Sequence, residues 1–396
     1  MIPYGKQSIS EEDILAVVET LRSDFLTCGP RVETFEQEFA DFVGAKHAIA
    51  VCNATAALHL SMLVADIGSA DRVITSPNTF LSSANCSAFV GATPDFCDID
   101  SDTYTMDLES LKQAWSEDVR AVIPVAYAGQ SADMKGIAEF ARGKCAIVIE
   151  DASHGTGGGF FQDGKAWKQG GHPWADMTVF SFHPVKTLTT GEGGILVTDN
   201  DEYASKARLL RTHGMTRDSN AFQGLGLDSL SLGEQGPWYY EMLELGHNFR
   251  ITDVQCALGS SQLKRLPHFI KRRQEIVALY NAAFADIDWI KTPGIRSAED
   301  KGFISWHLYT LQIDFTAIGK TRSVVMVELR SKGIGTQVLY IPVYLQPYYR
   351  NSYGYNPGKC PNAEHFYSEA LSLPLYPDLS DEDVKKIIAE VLELRH

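Results

Sequence analysis

The 396-residue chain is 44% hydrophobic and 21% charged, an ordinary globular balance with length for one large and one smaller domain. Its formal net charge of −15 argues against a nucleic-acid partner, which needs a basic face, but leaves room for a local anion site. No apolar run approaches the roughly 20 residues that span a bilayer, and the opening MIPYGKQSISEED lacks a basic-then-apolar signal pattern. Seven scattered cysteines without a C-x-x-C pair point to a reduced, cytoplasmic setting and to no metal site.

Ser10-Glu11-Glu12-Asp13 has the form of a capping box. Ile14, Val17, Val18 and Leu21 then fall at helical spacing, which predicts a first helix over about 11–22. After the break at Leu26-Thr27-Cys28-Gly29-Pro30, a second amphipathic helix carries Val32, Phe35, Phe39 and Phe42 on one face. Residues 48–52 read as a buried strand that gives way to Asn53-Ala54-Thr55-Ala56-Ala57 and a helical stretch over 58–64. Such a junction offers free backbone N–H groups and a positive dipole end to an anion, with Thr55 adding a hydroxyl. Simple capping by Asn53 or Thr55 has the same signature.

The strand at 72–75 leads to Ser76-Pro77-Asn78-Thr79-Phe80, so Phe80 falls just past a strand end, as a core residue or as a stacking platform. Strands at 121–125 and 146–149 alternate with helical stretches at 108–114 and 134–140, the pattern of a mostly parallel, helix-covered sheet. Residues 147–149 end in Glu150-Asp151-Ala152-Ser153-His154. A carboxylate there is costly to bury without a cationic partner, unless Asp151 caps a turn. The aperiodic segment 160–173 reads as a loop that could cover a site.

Residues 177–182 and 195–198 form two β-rich runs joined through Lys186 and the turn Gly191-Glu192-Gly193-Gly194. Most lysines are solvated surface charges. One held on a connection between strands, partly desolvated and beside hydroxyls, suits Schiff-base chemistry. Beyond it, 202–210 is helical, and 216–237 is an irregular loop of the length that serves a function or an interface. A long helix from Thr252 to 266 continues through Pro267 to 284 as a bridge. The rest reads as a smaller α+β unit, with strands at 307–313 and 337–340, a helix at 323–332 and a last helix capped at Ser380. The expected division is 1–250 and 251–396.

An anion-binding turn, an aromatic, a strand-end aspartate and a loop lysine are together what pyridoxal phosphate requires: a phosphate site, a stacking face, a carboxylate for the pyridine nitrogen and an amine. With these residues in that order, the sequence resembles the sugar-nucleotide aminotransferases of the DegT/StrS class over essentially its whole length. The resemblance implies an α/β, fold-type I transferase with a mostly parallel mixed sheet and a smaller α+β C-terminal domain. By the same resemblance Thr55 and Ala56 lie on the phosphate turn, Phe80 stacks on the ring and Asp151 pairs with the pyridine nitrogen. Ser181 meets the phosphate, Lys186 bonds the cofactor and serves with Asp151 in catalysis, and Asn248 reaches the cofactor phosphate of a neighbouring subunit in a homodimer.

The class has Asp-Ala-Ala-Gln where this chain has Asp151-Ala152-Ser153-His154, and His154 can replace the glutamine as partner of the ring hydroxyl through one nitrogen. His247 and Arg250 are candidates for substrate contacts from the partner subunit, with helix capping and interface packing as equal alternatives. The form S-F-H-P-V-K-T-L-T-T-G-E-G-G, with Tyr127-Ala128-Gly129 and Gly246-His247-Asn248-Phe249-Arg250, resembles the UDP-4-amino-4,6-dideoxy-N-acetyl-β-L-altrosamine transaminases of pseudaminic acid biosynthesis. L-Glutamate and a UDP-linked 4-keto-6-deoxy sugar are then the expected substrates. The alternatives are an aminotransferase for another UDP- or dTDP-linked 4-keto-6-deoxy sugar, a sugar dehydratase and a non-catalytic regulator.

Overall fold

The computed structural model describes residues 1–223 and 237–395. The strands up to residue 200 are β1 (His47–Val51), β2 (Arg72–Thr75), β3 (Thr93–Phe96), β4 (Val119–Ile123), β5 (Ile147–Asp151), β6 (Gly159–Gln162), β7 (Lys165–Lys168), β8 (Met177–Ser181) and β9 (Gly194–Thr198). Seven of them form one sheet in the order β1-β9-β8-β5-β4-β2-β3. Within it β9 alone runs against the others, so the sheet is mixed but mostly parallel. Such a sheet must be covered on both faces. In β1, Ile49 and Val51 join one apolar cluster while Ala48 and Ala50 join the other, as the two-residue pleat requires.

Helix α1 (Glu11–Leu21) has both halves of its capping box, between Ser10 and Asp13. It docks through polar groups: the buried Asp13 carboxylate accepts from Ser261 Oγ and Gln262 Nε2 at 2.6 Å and from Arg265 at 2.8 Å. Its apolar stripe faces outward, with Ile14 47% and Leu15 and Leu21 55% exposed. The aromatics Phe35 and Phe39 of α2 (Pro30–Val43) are fully buried against Phe180 and Phe182. Helices α3 (Ala54–Val64), α4 (Ser82–Phe89), α5 (Leu108–Gln113), α6 (Met134–Arg142) and α7 (Asp201–Arg211) complete the cover.

The segment 160–173 is not a loop over the site. Strands β6 and β7 make a hairpin whose turn, Asp163-Gly164, has φ of 53° and 75°, as a two-residue primed turn needs. Phe160 and Trp167 pack with Trp174 in the cluster that also holds Ile137 of α6, away from the pocket described below. Apolar residues inside the segment had a core to join, and they joined it.

Beyond α7, β10 (Met215–Thr216) pairs with β11 (Glu241–Met242), and most of the expected loop at 216–237 lies outside the described residues. Helix α8 (Asp253–Phe284) passes through Pro267 without ending and starts at a Thr252–Gln255 capping box. A second sheet, β12 (Ile290–Lys291), β13 (Tyr309–Ile313) and β14 (Ala370–Leu373), packs with α9 (Arg322–Ser331) and a C-terminal helix headed by Ser380. The expected strand at 337–340 does not form. Beyond a single bridge from Gln337 to Ser372, the Leu339 carbonyl accepts from Tyr127 Oη at 2.6 Å, and the chain turns inward instead of extending a ladder.

The first residues join this second sheet. Ile2 N–H donates to Gly333 O and Gly335 N–H to Ile2 O, each at 2.8 Å, and Leu375 N–H donates to Tyr4 O at 3.1 Å. Arg273 of α8, fully buried, donates to the carbonyls of His307 and Leu375 at 3.3 and 2.8 Å, and burial pulls its pKa down to about 10. Among the described residues no helix is long and apolar enough to cross a membrane.

Candidate active site

Strands β5 and β8 are parallel neighbours, and β8 returns as β9 with Ser181 opposite Gly194. Asp151, Ser181 and the connection that carries Lys186 therefore gather at one end of the sheet, beyond the carboxyl ends of its parallel strands, where open α/β sheets bind ligands. A pocket of about 490 Å³ lies there, lined by Asp151, Ser181, Lys186, Phe80, Thr55 and His154 among others. Six residues scattered over 132 positions of sequence meet around one cavity.

Lys186 is held in a turn, its N–H donating to His183 O at 2.8 Å. Burial pushes its amine down from 10.5 to about 8, against an upward pull from the charge of Asp151. Only the neutral amine attacks a carbonyl, so its reactive fraction falls tenfold for each pH unit below about 8. When pyridoxal phosphate is added to cofactor-free protein, the rate of the absorbance change is expected to climb with pH and level off above about 8. A midpoint near the ordinary 10.5 would contradict this placement of the amine.

Asp151 is buried at the end of β5. Its Oδ2 accepts from Ser83 Oγ at 2.6 Å and its Oδ1 from Ser153 N–H at 3.1 Å. Among the described residues it forms no ion pair, so a buried carboxylate faces the pocket with hydrogen bonds but without a cation. Phe80 is 57% exposed at the pocket rim, its ring 6.4 Å from that of Tyr340, which rules out the core reading.

Asn53 caps α3, its side chain accepting from Ala56 N–H at 2.8 Å. Ala56 is therefore not an open donor, and the pocket-lining residues of this first helical turn are Ala54 and Thr55. Thr55 Oγ1 lies 2.9 Å from Ser82 Oγ. The close fit depends on Gly194, where a Cβ would stand 2.5 Å from Ala54 N.

His154 has both ring nitrogens engaged. Ala128 N–H donates to Nδ1 at 3.3 Å, so Nε2 carries the proton and donates to Tyr340 Oη at 3.0 Å. A ring hydroxyl would have to share Nε2 with that phenol. Burial, reinforced by the charge of Lys186, holds His154 well below the usual histidine range and hence neutral. The ring of His307 sits 4.5 Å away, equally buried and held low, with its Nδ1 unpartnered among the described residues. His307, Tyr340 and Tyr4, which also lines the pocket, were not foreseen from sequence. No local pattern marks them, because each arrives from a segment more than 120 residues away in the chain or from its very start.

Asn248, His247 and Arg250 do not line this chain's pocket. Asn248 bridges Thr212, Arg250 bridges Val51, and the His247 ring stacks on Phe249 at 4.7 Å and lies 4.9 Å from His59.

The DegT/DnrJ/EryC1/StrS aminotransferase family model matches residues 7–392. The chain belongs to that family. It is 43% identical over 395 residues to the spore coat polysaccharide biosynthesis protein SpsC of Bacillus subtilis, covering 99% of this chain and 97% of that one. Helicobacter pylori PseC, an aminotransferase involved in the biosynthesis of pseudoaminic acid, superposes with a TM-score of 0.87 at 30% identity, over 99% of this chain and 98% of that one. The putative sugar aminotransferase Spr1654 of Streptococcus pneumoniae in its PMP form gives the same TM-score and identity over 100% and 99%. Fold-type I architecture, sugar aminotransferase activity and a pyridoxal phosphate cofactor follow from membership in the DegT/DnrJ/EryC1/StrS family.

The residues present fit that cofactor. A buried carboxylate without a cation suits a protonated ring nitrogen, an amine held near pKa 8 suits the aldehyde, and a helix N-terminus with Ser181 and Thr55 suits the phosphate.

Proposed function

We propose that the chain transfers the amino group of L-glutamate to C4 of a UDP-linked 2-acetamido-2,6-dideoxy-4-ketohexose of β-L-arabino configuration. The product would be UDP-4-amino-4,6-dideoxy-N-acetyl-β-L-altrosamine, an intermediate of pseudaminic acid biosynthesis. The observation that carries the chemistry is the Lys186 amine, lowered by burial to about 8, in one pocket with the Asp151 carboxylate, which forms no ion pair among the described residues. The similarity to PseC supports the choice of sugar.

When bound, pyridoxal phosphate supplies an aldehyde and an electron-withdrawing ring that acidifies the Cα proton of an amino acid. Asp151 keeps the ring nitrogen protonated. Lys186 Nζ holds the cofactor, then takes the proton from glutamate Cα and later delivers one to sugar C4. Delivery from the side of Lys186 sets the configuration of the new amine. Ser181, Thr55 and the N–H groups of Ala54 and Thr55 hold the phosphate. Phe80 would support one face of the ring, and His154 would serve its hydroxyl.

A homodimer completes the reading. Ile14, Leu15, Leu21, Phe25 and Leu26 leave a run of exposed apolar side chains, which such an interface would cover. Asn248, with His247 and Arg250, then faces the neighbouring subunit's pocket. We assign 1–250 and 251–396 to a large and a small domain, with residues 2–4 joining the latter, and the cytoplasm as the site of action.

The holoenzyme, given glutamate, is expected to convert the β-L-arabino UDP-keto sugar to an amino sugar, read by mass spectrometry. Exclusive use of the D-xylo isomer or of a dTDP sugar would overturn the choice. The 43% identity to SpsC favours, as a second reading, an aminotransferase for another nucleotide-linked 4-keto-6-deoxy sugar. A dehydratase with histidine at the lysine position is opposed by Lys186 itself, and a regulator by the intact Asp151, Ser181 and Lys186.

A further inference from the structure

We propose that Tyr4 is a specificity-determining residue for the second substrate, its phenol donating a hydrogen bond to an oxygen substituent of the sugar ring. The inference rests on the nucleotide-sugar reading above. A residue four positions from the start of a chain would ordinarily fray. Here the backbone on either side of Tyr4 is stitched down: Ile2 is buried in the apolar cluster of the second sheet and hydrogen-bonded to both Gly333 and Gly335, and the carbonyl of Tyr4 itself accepts from Leu375 N–H. Gly5 packs beside Val185, the neighbour of Lys186, where an added Cβ would make ordinary contact at 3.8 Å. The N-terminal segment thus spans from the second sheet to the lysine-bearing connection.

That course puts the Tyr4 side chain on the pocket wall with Val185, Lys186, Leu339 and Tyr340. Among the described residues its phenol makes no hydrogen bond, and burial raises its pKa, so it stays a neutral donor. Tyr340, close by, already receives the proton of His154 Nε2. Of the two phenols at this wall, Tyr340 is already tied to His154 as an acceptor, whereas Tyr4 has no hydrogen-bond partner among the described residues.

The chemistry of the wall indicates what it holds. Among the described residues the pocket lining contains no arginine and no lysine except Lys186. A dicarboxylate needs cations at its remote end. Phe80, Tyr340, Leu339 and Tyr4 instead offer apolar faces and a phenol, the surface suited to an uncharged ring with apolar C–H faces and hydroxyl edges. A site that hydrogen-bonds a substrate oxygen also rejects analogues that lack it.

The test is Tyr4→Phe, which keeps the ring and removes only the oxygen, measured with the holoenzyme. KM for the UDP-4-keto sugar is expected to rise about tenfold, the effect of losing one net hydrogen bond, with KM for glutamate unchanged. Calorimetric titration of the same keto sugar into the pyridoxal form, which it can occupy but not react with, is expected to show a matching tenfold loss of affinity. Unchanged sugar KM and unchanged affinity in the variant would overturn the assignment. So would a rise confined to glutamate. A wild-type protein that accepts the amino group of glutamate but passes it to no nucleotide-linked 4-keto sugar would sink the functional reading, and Tyr4 with it. A wild type active on that sugar, beside an indifferent Tyr4→Phe, sinks Tyr4 alone.

Discussion

Lys186→Ala is expected to lose covalent attachment of the cofactor altogether and to slow transamination by at least about 10⁴-fold, because one amine is both the anchor and the proton carrier. Borohydride reduction followed by peptide mapping should find the cofactor on the peptide containing Lys186 in the wild type and on no peptide in the variant. The fold should not suffer. Lowering the amine from 10.5 to about 8 corresponds to a penalty on the order of 3 kcal/mol for keeping it charged in the folded state. That penalty is fully present below pH 8, where folded and unfolded chains are both protonated. It fades as pH rises from about 8 toward 10.5, where only the unfolded chain still binds the proton. At pH 7 the cofactor-free variant should therefore melt no lower than the wild type. A variant that retains a tenth of wild-type turnover would remove Lys186 from the chemistry.

Asp151→Asn should cost about 10³-fold in the single-turnover rate with glutamate, roughly 4 kcal/mol of barrier. An amide of the same size can still accept from Ser153 N–H through its oxygen and donate to Ser83 Oγ through its nitrogen, so both local contacts can persist with one of them reversed. What disappears is the negative charge that keeps a ring nitrogen protonated. The same change removes the upward pull of Asp151 on Lys186, so the midpoint for aldehyde capture should move below about 8. Two independent readouts thus report one charge. A rate within tenfold of wild type, or a capture midpoint that moves up, would contradict the role given to this carboxylate.

Both residues could be found without coordinates because their signals are local. Asp151 is a charge at the end of an apolar strand, where burial has a large and readable cost. Lys186 sits between two β-rich runs, and a connection between adjacent strands has few places to go. The turn after β1 was legible for the same reason, although its carried-over donor was not. Asn53 is itself a capping residue, and its side chain occupies the N–H of Ala56. Phe80 could not be decided from sequence, since an aromatic past a strand end reads alike whether it enters the core or lies open at a pocket rim. Its 57% exposure decided the question.

Elsewhere the pattern was right and its direction was not. The spacing of Ile14, Val17, Val18 and Leu21 does mark α1, but periodicity reports that a helix has an apolar face, not what that face meets. Asp13 tied the helix to α8 by its polar side and left the stripe outside. The hairpin at 159–168 escaped notice because a four-residue strand is too short to show an alternation.

By itself, then, the sequence determined the helix caps, the buried strands, the charged strand end and the lysine-bearing connection, all set by interactions a few residues long. Only the tertiary structure decided that Tyr4 and Tyr340 share a cavity with Lys186, that His307 packs behind it against His154, and that Asn248 does not line it. Those contacts depend on sheet order and on the docking of a second sheet beside the first. Both are settled by the burial of whole faces, which no short stretch of the chain contains.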